Sequence, residues 1–217
     1  MSRSTFDPTF DGLPKTLPIF PLPGALLLPG GHLPLNIFEP RYIEMFDTAL
    51  AGDRMIGMVQ PNDEQADPGS AQVYRTGCAG RITNFNETPD GRYELTLHGL
   101  IRFDIEEELA PGTYRLVRAD YTRFKSDLEE GRCEIDRPRL LVALKTYFQT
   151  KTIQSDWQAI EQAENERLVT ALAMLCPLEP WEKQLLLEAE TLAKRAEVLT
   201  AILEMTIQGH DEEALRH

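Results

Sequence analysis

Asn86-Glu-Thr-Pro-Asp-Gly91 and the segment after it, Arg92-Tyr-Glu-Leu-Thr-Leu-His98, announce a β-hairpin. Proline presets φ, aspartate bonds its own backbone, and glycine accepts positive φ, so Pro-Asp-Gly is turn chemistry. The return strand alternates, with Tyr93, Leu95 and Leu97 one way and Arg92, Glu94, Thr96 and His98 the other. After Gly99 the alternation resumes at Ile101, Phe103 and Ile105. Residues 71–85 supply the outgoing strand. Residues 113–124 read as a further strand whose apolar parity changes between Leu116 and Val117, which suggests a bulge there.

Upstream, residues 15–22 and 32–38 are short apolar runs cut by Pro18, Pro21 and Pro34. Proline cannot donate to a ladder, so edge or bulged strands are expected. Between them lies Pro23-Gly-Ala-Leu-Leu-Leu-Pro-Gly-Gly31, a loop by its Pro/Gly punctuation. Residues 40–51 read as a helix, with Pro40 in the first turn, Ile43, Phe46 and Leu50 on one face, and Gly52 as the stop. Residues 54–60 read as a buried strand. Six or seven strands with one early helix suggest a small, closed or partly closed barrel.

The pattern changes near residue 125. Beyond it, apolar residues fall at helical spacing. Asp136 is a candidate cap for a helix carrying Leu140, Leu141, Leu144 and Phe148, and Ser155-Asp156-Trp157 starts a short one. Asn165 is a candidate cap for a helix holding Leu168, Leu172 and Leu175, stopped by Cys176-Pro177. Two more helices follow over 179–190 and 191–208, the second with Leu192, Ala196, Leu199 and Leu203 in register. Trp157 and Trp181 are expected to pack within this bundle. The division is therefore a 1–14 extension, a 15–125 barrel, a 126–208 helical part and a 209–217 acidic tail.

The 217 residues carry a net charge of −13, of which −8 falls on residues 126–217. That balance disfavours capture of DNA, RNA or an anionic membrane, which needs a positive face. The longest apolar run has six residues (171–176), far below the ~20 that span a bilayer. No signal peptide is visible. Three scattered cysteines (Cys78, Cys133, Cys176) write neither a disulfide framework nor a zinc site, and reduced thiols in a cytoplasmic protein are expected.

Several phrases in order resemble the Lon N-terminal domain, also called the Lon substrate-binding domain. They are Leu17-Pro-Ile-Phe-Pro-Leu-Pro-Gly-Ala-Leu-Leu-Leu-Pro-Gly30 and Leu33-Pro-Leu-Asn-Ile-Phe-Glu-Pro-Arg-Tyr42. Gly77-Cys-Ala-Gly-Arg-Ile82 with Tyr93-Glu-Leu-Thr-Leu-His-Gly-Leu-Ile-Arg-Phe103 looks like that domain's central hairpin. Leu178-Glu-Pro-Trp-Glu-Lys-Gln-Leu-Leu-Leu-Glu188, with Arg195 and Leu199, looks like its helical end. The resemblance covers residues 15–205. It implies an α+β fold: a PUA-like pseudo-β-barrel followed by a C-terminal α-helical bundle. Full Lon proteases continue into ATPase and Ser-Lys protease modules. This chain has no Gly-x-x-x-x-Gly-Lys-[Ser/Thr] loop. A stand-alone, non-catalytic domain with no cofactor or metal is expected.

The resemblance implies binding of unfolded polypeptide or a partner protein, by apolar contact and strand addition. The candidate residues are Leu26, Leu27 and Leu28, whose loop either exposes an apolar patch or folds over the barrel mouth, and Arg41 and Tyr42. Beside the partner-facing reading of Arg41 stands a structural one, in which Glu39 and Arg41 fix the strand-to-helix corner. A PUA-like RNA-binding reading rests on Arg75, Arg81, Arg92, Arg102, Arg115, Arg118, Arg123 and Lys125, unless these pair with acids. A small-ligand or hydrolytic reading needs a cleft that brings Cys78, His98 and an acid together. A monomer or weak homodimer is expected.

Overall fold

The computed structural model describes residues 5–62, 71–110, 112–129 and 133–214. The strands are β1 (Thr16–Pro21), β2 (His32–Ile37), β3 (Met55–Val59), β4 (Thr76–Glu87), β5 (Tyr93–Glu108) and β6 (Arg115–Asp120). Helix α1 (Pro40–Ala51) lies between β2 and β3, and a 3-10 segment (Thr122–Leu128) follows β6. The helical part is α2 (Arg137–Thr150), α3 (Trp157–Gln162), α4 (Asn165–Leu175), α5 (Pro180–Glu188) and α6 (Leu192–Ala214). Among the described residues no helix is long and apolar enough to cross a membrane. The expected tail lies largely outside the described side chains, and α6 runs past Gln208 to Ala214.

The sheet is mixed, in the order β2-β5-β4-β3-β1-β6, and β6 also pairs with β5. Pairing therefore runs around a circuit from β5 through β4, β3, β1 and β6 back to β5, which gives the pseudo-barrel. Strand β5 makes this possible by its length. On one edge it pairs with β4, and on the other it serves β2 over Tyr93–His98 and β6 over Asp104–Glu108. The gap between these two partners is closed locally. Gly30 N–H donates to the Gly99 carbonyl at 2.8 Å, and Arg102 N–H donates to Asp127 Oδ2 at 3.0 Å.

The prolines of β1 correct the expectation of an edge strand. This strand is interior, parallel to β3 and antiparallel to β6. The Leu22 N–H bonds Val59, so even-numbered β1 residues direct their N side at β3. Pro18 comes one residue before the first β3 pair, at Ile19. Pro21 faces the β6 side beyond the last β6 pair, also at Ile19. Each missing donor thus falls where no partner waits.

The bulge is also displaced from its expected place. Residues 115–118 pair regularly with β1, and the extra residue is Glu106 on β5, at a register shift between Ile105 and Glu107. Helix α1 has the expected bounds, but its buried face is Tyr42, Met45, Phe46 and Ala49, with Ile43 and Leu50 half-buried.

Leu26, Leu27 and Leu28 are 2 %, 1 % and 0 % exposed. They complete the core, the covered alternative for their loop, and join a cluster that includes Phe20, Phe46, Leu97, Leu144, Leu172 and Leu199. This cluster therefore runs from the sheet into the helices, beside a second one that holds Leu17, Ile19, Phe103, Val117 and Phe124. The loop is pinned at both ends. Lys183 Nζ on α5 donates to the Gly24 carbonyl at 2.7 Å, and Gly99 N–H donates to the Gly31 carbonyl at 2.9 Å. Burial lowers the Lys183 pKa.

Gly99 permits this seating, because a Cβ there would overlap the Leu28 carbonyl group. Gly99→Ala is expected to destabilise the protein by about 1–3 kcal/mol, since backbone must move to make room. Urea denaturation of the two proteins checks this; an unchanged midpoint would show the loop sits elsewhere.

A buried ion pair ties the two halves. Arg102 is 2 % exposed. Its Nε and Nη2 donate to the two Asp127 oxygens at 2.8 and 2.7 Å. Its Nη1 donates to the Leu187 and Ala189 carbonyls at 2.9 and 2.5 Å. Those carbonyls end α5, where helical acceptors lack intrahelical partners, so one guanidinium joins β5, the 3-10 segment and α5.

Candidate functional site

Helix α4 turns one apolar side chain, Leu175, almost fully to solvent. Leu168, Val169, Leu172 and Ala173 face the core, which leaves Arg167, Ala171 and Leu175 as an outward stripe at i, i+4, i+8. Leu175 is 80 % exposed. The expectation that it joins Leu168 and Leu172 in the core fails because Val169, Ala173 and Cys176, at the same spacing, take that role. Asn165 does not cap the helix. Its side chain instead bonds the Cys133 carbonyl and accepts from Arg137 Nη1. Asp136 and Asp156 do cap α2 and α3.

The stripe separates two grooves. On the bundle side a groove of about 660 Å³ is lined by Phe148, Ile153, Ser155, Ile160 and Leu172. On the barrel side a groove of about 640 Å³ is lined by Gly31, His32, His98, Glu164, Thr170 and Met174. Arg167, Ala171 and Leu175 border both. The Ser155 hydroxyl is buried without a hydrogen-bond partner. It is an unmet polar group beneath a groove whose lining also holds Gln154, Asp156, Gln162 and Arg167.

Sequence-named residues fall elsewhere. Tyr42 is buried against Phe20, with ring centroids 4.5 Å apart. Arg41 Nε donates to Glu39 at 3.0 Å, and its guanidinium lies 4.7 Å from the Tyr42 ring centre, as the corner-fixing reading requires. Trp157 packs against Phe148, but Trp181 is 52 % exposed, a correction to its expected place in the bundle. The free edge of β2 is poor for strand addition. Gly99 N–H bonds Gly31, so His32, Pro34 and Asn36 direct their backbone outward, and Pro34 has no donor to offer.

Cys78 is fully buried in the core, and burial pushes its thiol pKa up; its hydrogen bond goes to the neighbouring Ala79 carbonyl at 3.8 Å. His98 lines a groove with His32 and without Cys78. Among the described residues no group of three His, Cys, Asp or Glu side chains is placed to hold a metal ion. Six of the eight cations on which the RNA reading rests are engaged by acids: Arg81 by Asp7, Arg92 by Asp90, Arg102 by Asp127, Arg115 by Glu108, Arg118 by Glu107 and Arg123 by Asp104, while Lys125 lies over the Phe10 ring.

The family profile described as "ATP-dependent protease La (LON) substrate-binding domain" matches residues 16–205. The chain belongs to the LON substrate-binding domain family. Similar proteins include Lon protease 2 of Myxococcus xanthus, 33 % identical over 57 % of this chain. The Lon protease of Cytophaga hutchinsonii is 27 % identical over 90 % of it. The LON domain here spans 15 % and 25 % of those two relatives. A Lon N-terminal domain protein from Xanthomonas campestris has the same fold, with a TM-score of 0.62 at 22 % identity over 86 % of this chain and 97 % of the other. The N-terminal domain of a Mycobacterium avium complex Lon protease gives 0.58 at 16 % identity, over 88 % and 98 %.

Proposed function

We propose that this LON domain is a non-catalytic recognition module that receives apolar segments of unfolded or partner polypeptides along α4. The observation that carries this reading is the Arg167–Ala171–Leu175 stripe, set between two grooves with Leu175 almost wholly in solvent. A side chain so exposed gains most by being covered. Kinship with Lon proteases matched through a substrate-binding domain supports the choice of polypeptide as ligand. The acid-paired arginines support it over RNA. In this reading Leu26, Leu27 and Leu28 stiffen the barrel-side wall from beneath, and Arg41 and Tyr42 hold the β2–α1 corner. The role is that of a substrate-recognition or adaptor protein in the cytoplasm.

Titration with a reduced, carboxymethylated unfolded polypeptide tests it. Leu175→Asp is expected to weaken binding by about 10- to 100-fold, the worth of one buried leucine at ~1.5–3 kcal/mol. Trp181→Asp, on α5, is expected to bind like the wild type. Equal affinity of Leu175→Asp and wild type would remove α4 from recognition.

A further inference from the structure

We propose that His32 and His98 form a binding site for a late divalent transition-metal ion, copper(II) or nickel(II), on the barrel-side wall of the α4 groove. The two residues face each other across the β2–β5 ladder. Gly31 and Gly99, the pair before them, share a backbone hydrogen bond, so His32 and His98 occupy a non-hydrogen-bonded pair, where side chains approach most closely. Their ring centroids are 4.6 Å apart, with planes at 65°.

That separation suits two imidazoles on one ion at adjacent corners. A metal–nitrogen bond is ~2.1 Å, and the ring centre lies about 1.1 Å beyond it. Two rings at right angles about the ion then put their centroids roughly 4.6 Å apart, whereas a tetrahedral angle puts them roughly 5.3 Å apart. The right angle belongs to the tetragonal and octahedral sites of copper(II) and nickel(II), and the wider angle to zinc.

The surroundings are compatible with a cation. The nearest strand cation, Arg81, is neutralised by Asp7 at 3.0 Å. Glu164 lines the same groove and supplies a carboxylate three residues before Arg167 on the α4 wall. The groove is open, so water or a group arriving in it completes the coordination.

The test uses the full chain in a His210→Ala/His217→Ala background, which removes the other histidines. Calorimetric titration with copper(II) and with nickel(II) is expected to find a single ion per chain. Copper(II) electron paramagnetic resonance is expected to show coupling to two imidazole nitrogens. His98→Ala, and separately His32→Gln on the exposed strand, should each weaken binding ~10-fold or more, with the double variant little worse than either. Circular dichroism separates loss of ligand from loss of fold, and the exposed His32→Gln site keeps the test open if His98→Ala unfolds. Unchanged affinity in His32→Gln, or a spectrum lacking the paired imidazoles, overturns the proposal.

Discussion

Asp127→Ala is expected to remove about 3–5 kcal/mol of stability, the usual result of stripping one partner from a buried ion pair. For a chain of this size that corresponds to a melting temperature lower by roughly 6–20 °C, at ~2–4 °C per kcal/mol. The loss exceeds that of the hydrogen bonds alone because of what stays behind. Arg102 would keep its carbonyl partners at the end of α5 but have no counter-charge. Arg195 is also buried there, donates through Nε to the Leu186 carbonyl at 2.8 Å, and has an Nη2 without a partner. Burial, and then the charge of Arg102, lowers the Arg195 pKa to about 10, with Asp127 acting in the opposite direction. Two guanidiniums thus depend on one carboxylate. Thermal and urea unfolding of Asp127→Ala, Arg102→Met and the Arg102→Met/Asp127→Leu double variant measure this. The double variant is expected to lie closer to wild type than Asp127→Ala does, because it removes a charge with its partner. A single variant within about 1 kcal/mol of wild type would mean that the joint is solvated.

This joint also marks where the sequence stops being readable. Arg102 stands between Ile101 and Phe103, on what alternation assigns to the outer, wet face. The face is dry because the 3-10 segment and the end of α5 lie over it, and that covering depends on partners 25 and more residues away. Local signals were sufficient elsewhere. Pro40 and Gly52 bracket α1 at its observed ends, Asp136 and Asp156 cap the helices they precede, and the Pro-Asp-Gly turn places Gly91 at φ 81°. The bulge was misplaced for a definable reason. Glu106-Glu107-Glu108 has no apolar–polar contrast, so an inserted residue leaves no trace in its alternation. In α4, two apolar sets offset by one residue compete for the core. Periodicity alone does not say that the Val169 set joins Leu168 and Leu172 while Leu175 turns outward, and the groove follows from that outcome.

Leu27→Asp is expected to abolish the fold and not merely a binding function. Leu27 is 1 % exposed and packs against Gly80 and Gly99, where its own methyl groups fill the space that a Cβ would take. A carboxylate there has no donor to meet it and no room to admit water. The cost exceeds ~4 kcal/mol, in the range reserved for unpaired buried charge. The sign of its pH dependence follows. Burial raises the pKa of the introduced carboxyl above its unfolded value, so the penalty is full at neutral pH and shrinks as pH falls through the raised value. The variant should therefore recover structure on mild acidification while the wild type does not gain. Circular dichroism and thermal unfolding between neutral and mildly acid pH read this out. Leu175→Asp is the matched control, since the same exchange at a solvent-facing leucine should leave the melting temperature near that of wild type. Native stability in Leu27→Asp together with lost polypeptide binding would return recognition to the loop. An unfolded Leu27→Asp beside a folded, binding-deficient Leu175→Asp assigns the loop to the core and the contact to α4.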